Sequence, residues 1–137
     1  MSTGRHLQER LKKRRIPPPA RLLYVDDETA LRMLVQENLE EHGFRVSIAE
    51  DGDDALELIT QESFDVVILD IRMPRMGGIA VLEEIRRREI DTRVIMVTGV
   101  DDVGIAGRAA QLGATDYVMK PFETDTLLAS IKRVLNV

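Results

Sequence analysis

Five side chains with useful chemistry fall at the ends of apolar runs in this chain. Asp26 and Asp27 follow Leu22-Leu23-Tyr24-Val25, and Asp70 follows Val66-Val67-Ile68-Leu69. Thr98 closes the run that starts at Arg93, and Lys120 follows Asp116-Tyr117-Val118-Met119. Three carboxylates gathered in one pocket repel one another or hold protons at neutral pH unless a cation compensates. A ligand set of oxygens alone favours hard ions, Mg2+ or Mn2+, which keep several waters and share a phosphate. A hydroxyl and an ammonium at the same edge would add a hydrogen bond and a positive charge for an anion. Taken singly, each residue is ordinary. An Asp pair starts a turn and caps a helix, and a lone Thr or Lys is common at a strand end. Their shared place at the end of apolar runs is the informative feature.

The elements that must position them alternate. Four consecutive β-favouring apolar residues before Asp70 read as a strand buried on both faces. Pro74 and Gly77-Gly78 stop that strand and shape a loop around the acid. Strands are expected at Leu22–Val25, Arg45–Ala49, Asp65–Asp70, Arg93–Thr98 and Asp116–Met119. Between and after them the spacing predicts helices over Glu28–Glu41, Asp51 to about Glu62, about Gly78–Glu89, Asp101–Leu112 and Glu123–Leu135. Gly43 is placed to close the first helix, beside His42, whose partly cationic ring suits a helix C-terminus. Asp51 is expected to cap the second, with Ala55, Leu56, Leu58 and Ile59 turned inward. Strict β-α alternation implies an α/β fold with a parallel sheet covered by helices on both faces. Right-handed crossovers leave few topologies, among them the flavodoxin-like doubly wound (βα)5 order 2-1-3-4-5. Its switch point lies between strands one and three, which would bring Asp26-Asp27 beside Asp70.

Bulk properties narrow the function classes. The 137 residues suit one domain, and 44% apolar with 31% charged residues is an ordinary globular mix. The absence of cysteine excludes disulfides and thiolate metal sites, and His6 and His42 are too far apart to suggest a histidine-based centre. No apolar run reaches the length of a membrane span, and the N-terminus is too polar for a signal peptide, so a cytoplasmic location is expected. Residues 1–20 hold six basic side chains against Glu9, a balance of +5, so the other 117 residues sum to −10. A net-acidic body argues against direct nucleic-acid binding by the domain. Ile16-Pro17-Pro18-Pro19-Ala20 reads as a stiff linker. It would separate a basic tail, with a possible short helix over Leu7–Arg15, from a domain spanning residues 21–137.

Over roughly residues 20–137 the chain resembles the receiver domain of two-component response regulators. The resemblance rests on Asp26-Asp27, the Asp70-x-x-x-Pro74-x-x-Gly77 segment, Thr98-Gly99 and Lys120-Pro121, in order and on the expected elements. Tyr117, three residues before the lysine, stands where that family carries a switch aromatic. The resemblance implies transfer of a phosphoryl group from a phosphohistidine donor to Asp70. The donor would be a histidine kinase or a histidine phosphotransfer protein. It further implies Mg2+ held by Asp27 directly, by Asp26 mainly through water, and by Asp70 and the backbone carbonyl of Arg72. Lys120 and Thr98 would bind phosphoryl oxygens, with Thr98 and Tyr117 forming the switch. Such a domain is a phosphoacceptor with intrinsic autodephosphorylation rather than an enzyme. Phosphorylation would alter the face built from helix four, strand five and helix five, where a downstream protein or a second copy binds. The Lys120–Pro121 peptide is expected to be cis.

Other readings fit less well. A haloacid-dehalogenase-like phosphohydrolase also uses an aspartate after a strand, but needs a second acid two residues on, where this chain has Arg72. A nucleotide-binding enzyme lacks its glycine-rich loop after strand one. Gly104 and Gly107 in helix four suit either a weak, bistable helix or close packing on the sheet. The chain reads as a single-domain regulator if complete, and otherwise as the receiver of a larger multidomain one.

Overall fold

A computed structural model describes residues 18–136. The basic segment and the short helix expected at Leu7–Arg15 lie outside the described residues. The elements run β1 (Arg21–Val25), α1 (Thr29–Glu41), β2 (Arg45–Ala49), α2 (Gly52–Gln61), β3 (Val66–Asp70), α3 (Gly78–Arg87) and β4 (Arg93–Thr98). A 3-10 turn (Val100–Asp102), α4 (Val103–Gln111), β5 (Asp116–Met119) and α5 (Thr124–Leu135) complete them. All four strand pairings are parallel, and the order is β2-β1-β3-β4-β5, the doubly wound arrangement expected.

Alternation along the strands divides the core into two layers. Leu22, Tyr24, Val66, Ile68, Ile95 and Val97 pack on one face against Val35 and Leu39 of α1 and Leu127, Ile131 and Val134 of α5. Leu23, Val25, Val67, Leu69, Val94 and Met96 pack on the other against Ile59, Val81, Leu82, Ile85 and Ala109 from α2, α3 and α4. Every residue of β3 and β4 is buried, as a continuous apolar run in a parallel sheet requires. The register pairs Val25 with Leu69, Asp70 with Val97, and Thr98 with Met119. The polar residues at those strand ends therefore share one edge.

Helix boundaries follow the expected pattern with local departures. Asp51 caps α2 as expected, its side chain accepting the Asp54 N–H at 2.9 Å. Ala55 and Ile59 are buried, and Leu56 and Leu58 are partly so. The helix expected from Gly78 to Glu89 ends at Arg87, because Glu89 turns left-handed at φ 54°. The helix expected from Asp101 starts at Val103 instead. There the Asp102 carboxylate turns back to accept the Gly99 N–H at 2.8 Å, which bends the first turn into 3-10 form. A Cβ at Gly104 or Gly107 would meet nothing within 4 Å, so close packing does not account for either glycine. The far end of α4 is tied to α3 by Arg86, which donates to the carbonyls of Leu112 and Gly113 at 2.9 Å each.

Candidate phosphoacceptor site

Asp70 ends β3 and is 6% exposed. Its Oδ2 receives Lys120 Nζ at 3.0 Å, and its Oδ1 receives the Arg72 backbone N–H at 3.3 Å. The acid is held against the loop by close backbone approach. A Cβ at Gly77 would lie 2.7 Å from the Ile71 carbonyl oxygen, and one at Gly78 would collide with the carbonyl of Asp70 itself. Only glycine allows α3 to start this close to the strand end.

Asp26 is fully buried and heavily engaged. Its Oδ2 accepts the Tyr24 hydroxyl at 2.8 Å and lies 2.8 Å from Lys120 Nζ, while Oδ1 accepts the Glu28 N–H at 2.9 Å. Asp27 is exposed. A carboxylate oxygen from each of Asp26, Asp27 and Asp70 lies within 4.8 Å of the others. That spacing suits one hard cation sharing oxygen ligands. The donors on Asp26 leave Asp27 as the freer carboxylate.

The electrostatics reflect this crowding. Burial pushes the Asp70 carboxyl up to about 6, against the opposing pull of Lys120 and with the Asp26 charge adding to the push. Burial pulls the Lys120 ammonium down, but its contacts with Asp26 and Asp70 outweigh that and hold its pKa above the usual lysine value. The Tyr24 phenol is raised by burial and then by the Asp26 charge, so it serves Asp26 as a hydrogen-bond donor. One ammonium thus bridges two of three clustered carboxylates.

Of the residues expected from sequence, Asp26, Asp27, Asp70 and Lys120 converge directly. The Lys120–Pro121 peptide is cis, as expected. Thr98 is buried at the end of β4, and its carbonyl accepts the Lys120 N–H at 2.7 Å, which places the two residues at one level of the edge. Tyr117 packs against the layer formed with α2, α3 and α4, and its hydroxyl is buried without a hydrogen-bond partner. The ring thus belongs to the apolar layer on the side of the sheet covered by α2, α3 and α4. Three further residues support the site. Tyr24 holds Asp26. Arg32 donates to the Asp26 carbonyl at 2.7 Å, and Asp102 holds Gly99 and Arg72. Tyr24 was discoverable, since it stands two residues before Asp26 and so shares its face of the strand. Arg32 and Asp102 carry no comparable local signal.

The sequence pattern of the response regulator receiver domain matches residues 22–132, and the chain belongs to that family. It is 38% identical over 117 residues to the chemotaxis protein CheY of Bacillus subtilis, covering 85% of this chain and 98% of that one. It is 44% identical over 115 residues to the probable transcriptional regulator ycf27 of Guillardia theta, covering 84% of this chain and 45% of the relative. The chain thus spans about half the length of such transcriptional regulators. Among solved structures, Vibrio cholerae CheY4 superposes with a TM-score of 0.80 at 34% identity, over 85% of this chain and 98% of the other. Among the described residues, no helix is long and apolar enough to cross a membrane.

Proposed function

We propose that the chain accepts a phosphoryl group on Asp70 from a phosphohistidine donor in a two-component pathway. The observation that carries this reading is the buried Asp70 carboxylate with Lys120 Nζ 3.0 Å away, inside a cluster of three aspartates. In the reaction an Asp70 oxygen attacks the phosphorus, the new O–P bond forms as the P–N bond breaks, and the electron pair stays on the donor imidazole. The donor brings its own leaving group, so Asp70 needs no general base. Transfer depends on positioning and on neutralising the phosphoryl oxygens.

The residues present fit a hard divalent cation. Asp27, Asp70 and the Arg72 carbonyl would hold it, with Asp26 acting through water because its oxygens already take Tyr24, Lys120 and Glu28. Bound Mg2+ would offset the carboxylate charge and that of the phosphoryl group. Lys120 supplies a fixed ammonium for a phosphoryl oxygen, and Thr98 a hydroxyl donor for another. Burial of Asp70 limits access of water to the acceptor.

Four large apolar side chains are exposed among those described: Met33, Leu34, Ile105 and Met119. Met33 and Leu34 lie on α1, which starts directly after Asp26-Asp27, and suit the approach of a donor protein such as a histidine kinase or histidine phosphotransfer protein. Ile105 and Met119 lie on α4 and at the end of β5. They support a downstream partner, or a second copy, at the α4-β5-α5 face, with residues 21–137 acting as the receiver unit.

The test is incubation with acetyl phosphate and Mg2+ followed by intact-mass measurement. One phosphoryl group should be added to the wild-type chain and none to Asp70→Asn. Undiminished labelling of that variant, or full labelling in excess chelator, would refute the assignment.

A further inference from the structure

We propose that Arg72 is a second cationic contact for the phosphoryl group and that Asp102 is the positioning residue that aims it. The inference rests on the phosphoacceptor reading above. Arg72 stands two residues after Asp70, and its Nε–H donates to Asp102 Oδ1 at 2.6 Å. Asp102, in the turn before α4, is 2% exposed and accepts the Gly99 N–H through its other oxygen at 2.8 Å. One buried carboxylate therefore links the loop after Asp70 to the turn after Thr98. The Gly99 N–H and then the Arg72 guanidinium hold the Asp102 carboxyl below the usual carboxylate range, so it stays a fixed anion.

The arginine is held by one edge only. Among the described residues its two terminal NH2 groups have no partner, on a side chain 67% exposed. A guanidinium anchored through Nε presents its remaining donors as a planar fork, a geometry that matches phosphoryl oxygens. An exposed ion pair alone contributes little to stability, whereas burying its carboxylate carries a desolvation penalty. Fixing the direction of the arginine is a use that repays such burial.

Charge points the same way. Asp26, Asp27 and Asp70 face the single ammonium of Lys120, and a divalent cation would bring that set to neutrality. Phosphorylation converts the Asp70 carboxylate into an acyl phosphate, a mixed anhydride that carries two negative charges in place of one, which leaves one net negative charge. Arg72, two residues from the acceptor and paired with the buried Asp102, is the cation placed to offset it.

The experiment is calorimetric titration of beryllofluoride, a phosphoryl mimic, into the Mg2+-loaded protein. Wild type, Arg72→Ala, Asp102→Asn and the double variant are compared at two salt concentrations. Arg72→Ala should weaken binding about tenfold or more, the loss expected for one charge-assisted hydrogen bond. Its affinity should also fall less steeply with salt than that of wild type. Asp102→Asn should weaken binding severalfold, and the double variant should bind as Arg72→Ala does, because the asparagine oxygen still accepts the Gly99 N–H and only the Arg72 contact is lost. Wild-type affinity in Arg72→Ala would overturn the contact. So would an equal fall in Mg2+ affinity measured without beryllofluoride, which would assign Arg72 to the metal loop alone. Additive losses in the double variant would overturn the role of Asp102. If Asp102→Asn does not fold, Arg72→Ala still decides the contact. Wild-type protein that binds no beryllofluoride with Mg2+ would instead overturn the phosphoacceptor reading itself.

Discussion

Asp70→Asn should make the metal-free protein more stable while abolishing its proposed chemistry. Asp70 is 6% exposed, and its carboxyl is pushed from 3.8 to about 6. At roughly 1.4 kcal/mol per pK unit, ionising it in the folded state costs about 3 kcal/mol. The amide removes that charge and still offers Lys120 an acceptor oxygen; the pull of Lys120 is already contained in the shift, and solvent at this edge, where Asp27 is exposed, screens about 1 kcal/mol of the cost. Lys120 keeps its contact with Asp26 at 2.8 Å, so no ammonium is orphaned. The net gain is about 2 kcal/mol, which for a domain of this size raises Tm by roughly 6–10 °C. The pH dependence fixes the sign. Because the folded pKa lies above the unfolded one, the penalty is absent below pH 3.8, grows until about pH 6 and is constant above it. The advantage of the variant should therefore vanish near pH 4 and be complete by pH 7. Mg2+ should reverse the comparison, since ligand at 100 times Kd stabilises the native state by about 2.7 kcal/mol and the variant lacks a ligand oxygen. Thermal melts in chelator and in Mg2+, from pH 4 to 7, measure all of this. A variant less stable than wild type in chelator at pH 7, or a gain that does not change with pH, would refute the reasoning.

Three further outcomes are expected. Tyr117→Phe removes a buried hydroxyl that has no hydrogen-bond partner and should stabilise the fold by about 1 kcal/mol in urea unfolding; destabilisation would show that the hydroxyl is satisfied. Thr98→Ala should still accept phosphate at Asp70, yet beryllofluoride should no longer change amide exchange over α4 and β5. Wild-type changes confined to the loops around Asp70 would sink the switch. Gly104→Ala and Gly107→Ala, where a Cβ meets nothing, should each stabilise α4 by up to about 1 kcal/mol, read as slower amide exchange in that helix.

The order of elements and the place of the acids were legible without coordinates. Apolar runs such as Val66–Leu69 can be buried only as inner strands, and alternation with amphipathic helices leaves few topologies. In those topologies residues that end strands share an edge, so the common edge of Asp26, Asp27, Asp70, Thr98 and Lys120 followed from position alone. The start of α4 was not legible. Asp101-Asp102 has the composition of a helix N-terminus, and only the folded turn shows the Asp102 carboxylate turned back to Gly99 and bridged to Arg72.

The division of labour within the site likewise belongs to tertiary structure. Local pattern alone leaves Asp26 and Asp27 as equivalent neighbours, and only the family resemblance gave them different roles. Folding buries Asp26 among Tyr24, Lys120 and the Glu28 amide and leaves Asp27 exposed. It also settles that the Tyr117 ring packs into the layer shared by α2, α3 and α4 and that the α4 glycines have open space around them. Periodicity and strand ends are local properties that a sequence carries in full. Which buried polar group meets which partner depends on segments far apart in the chain, and these become neighbours only when the sheet is assembled.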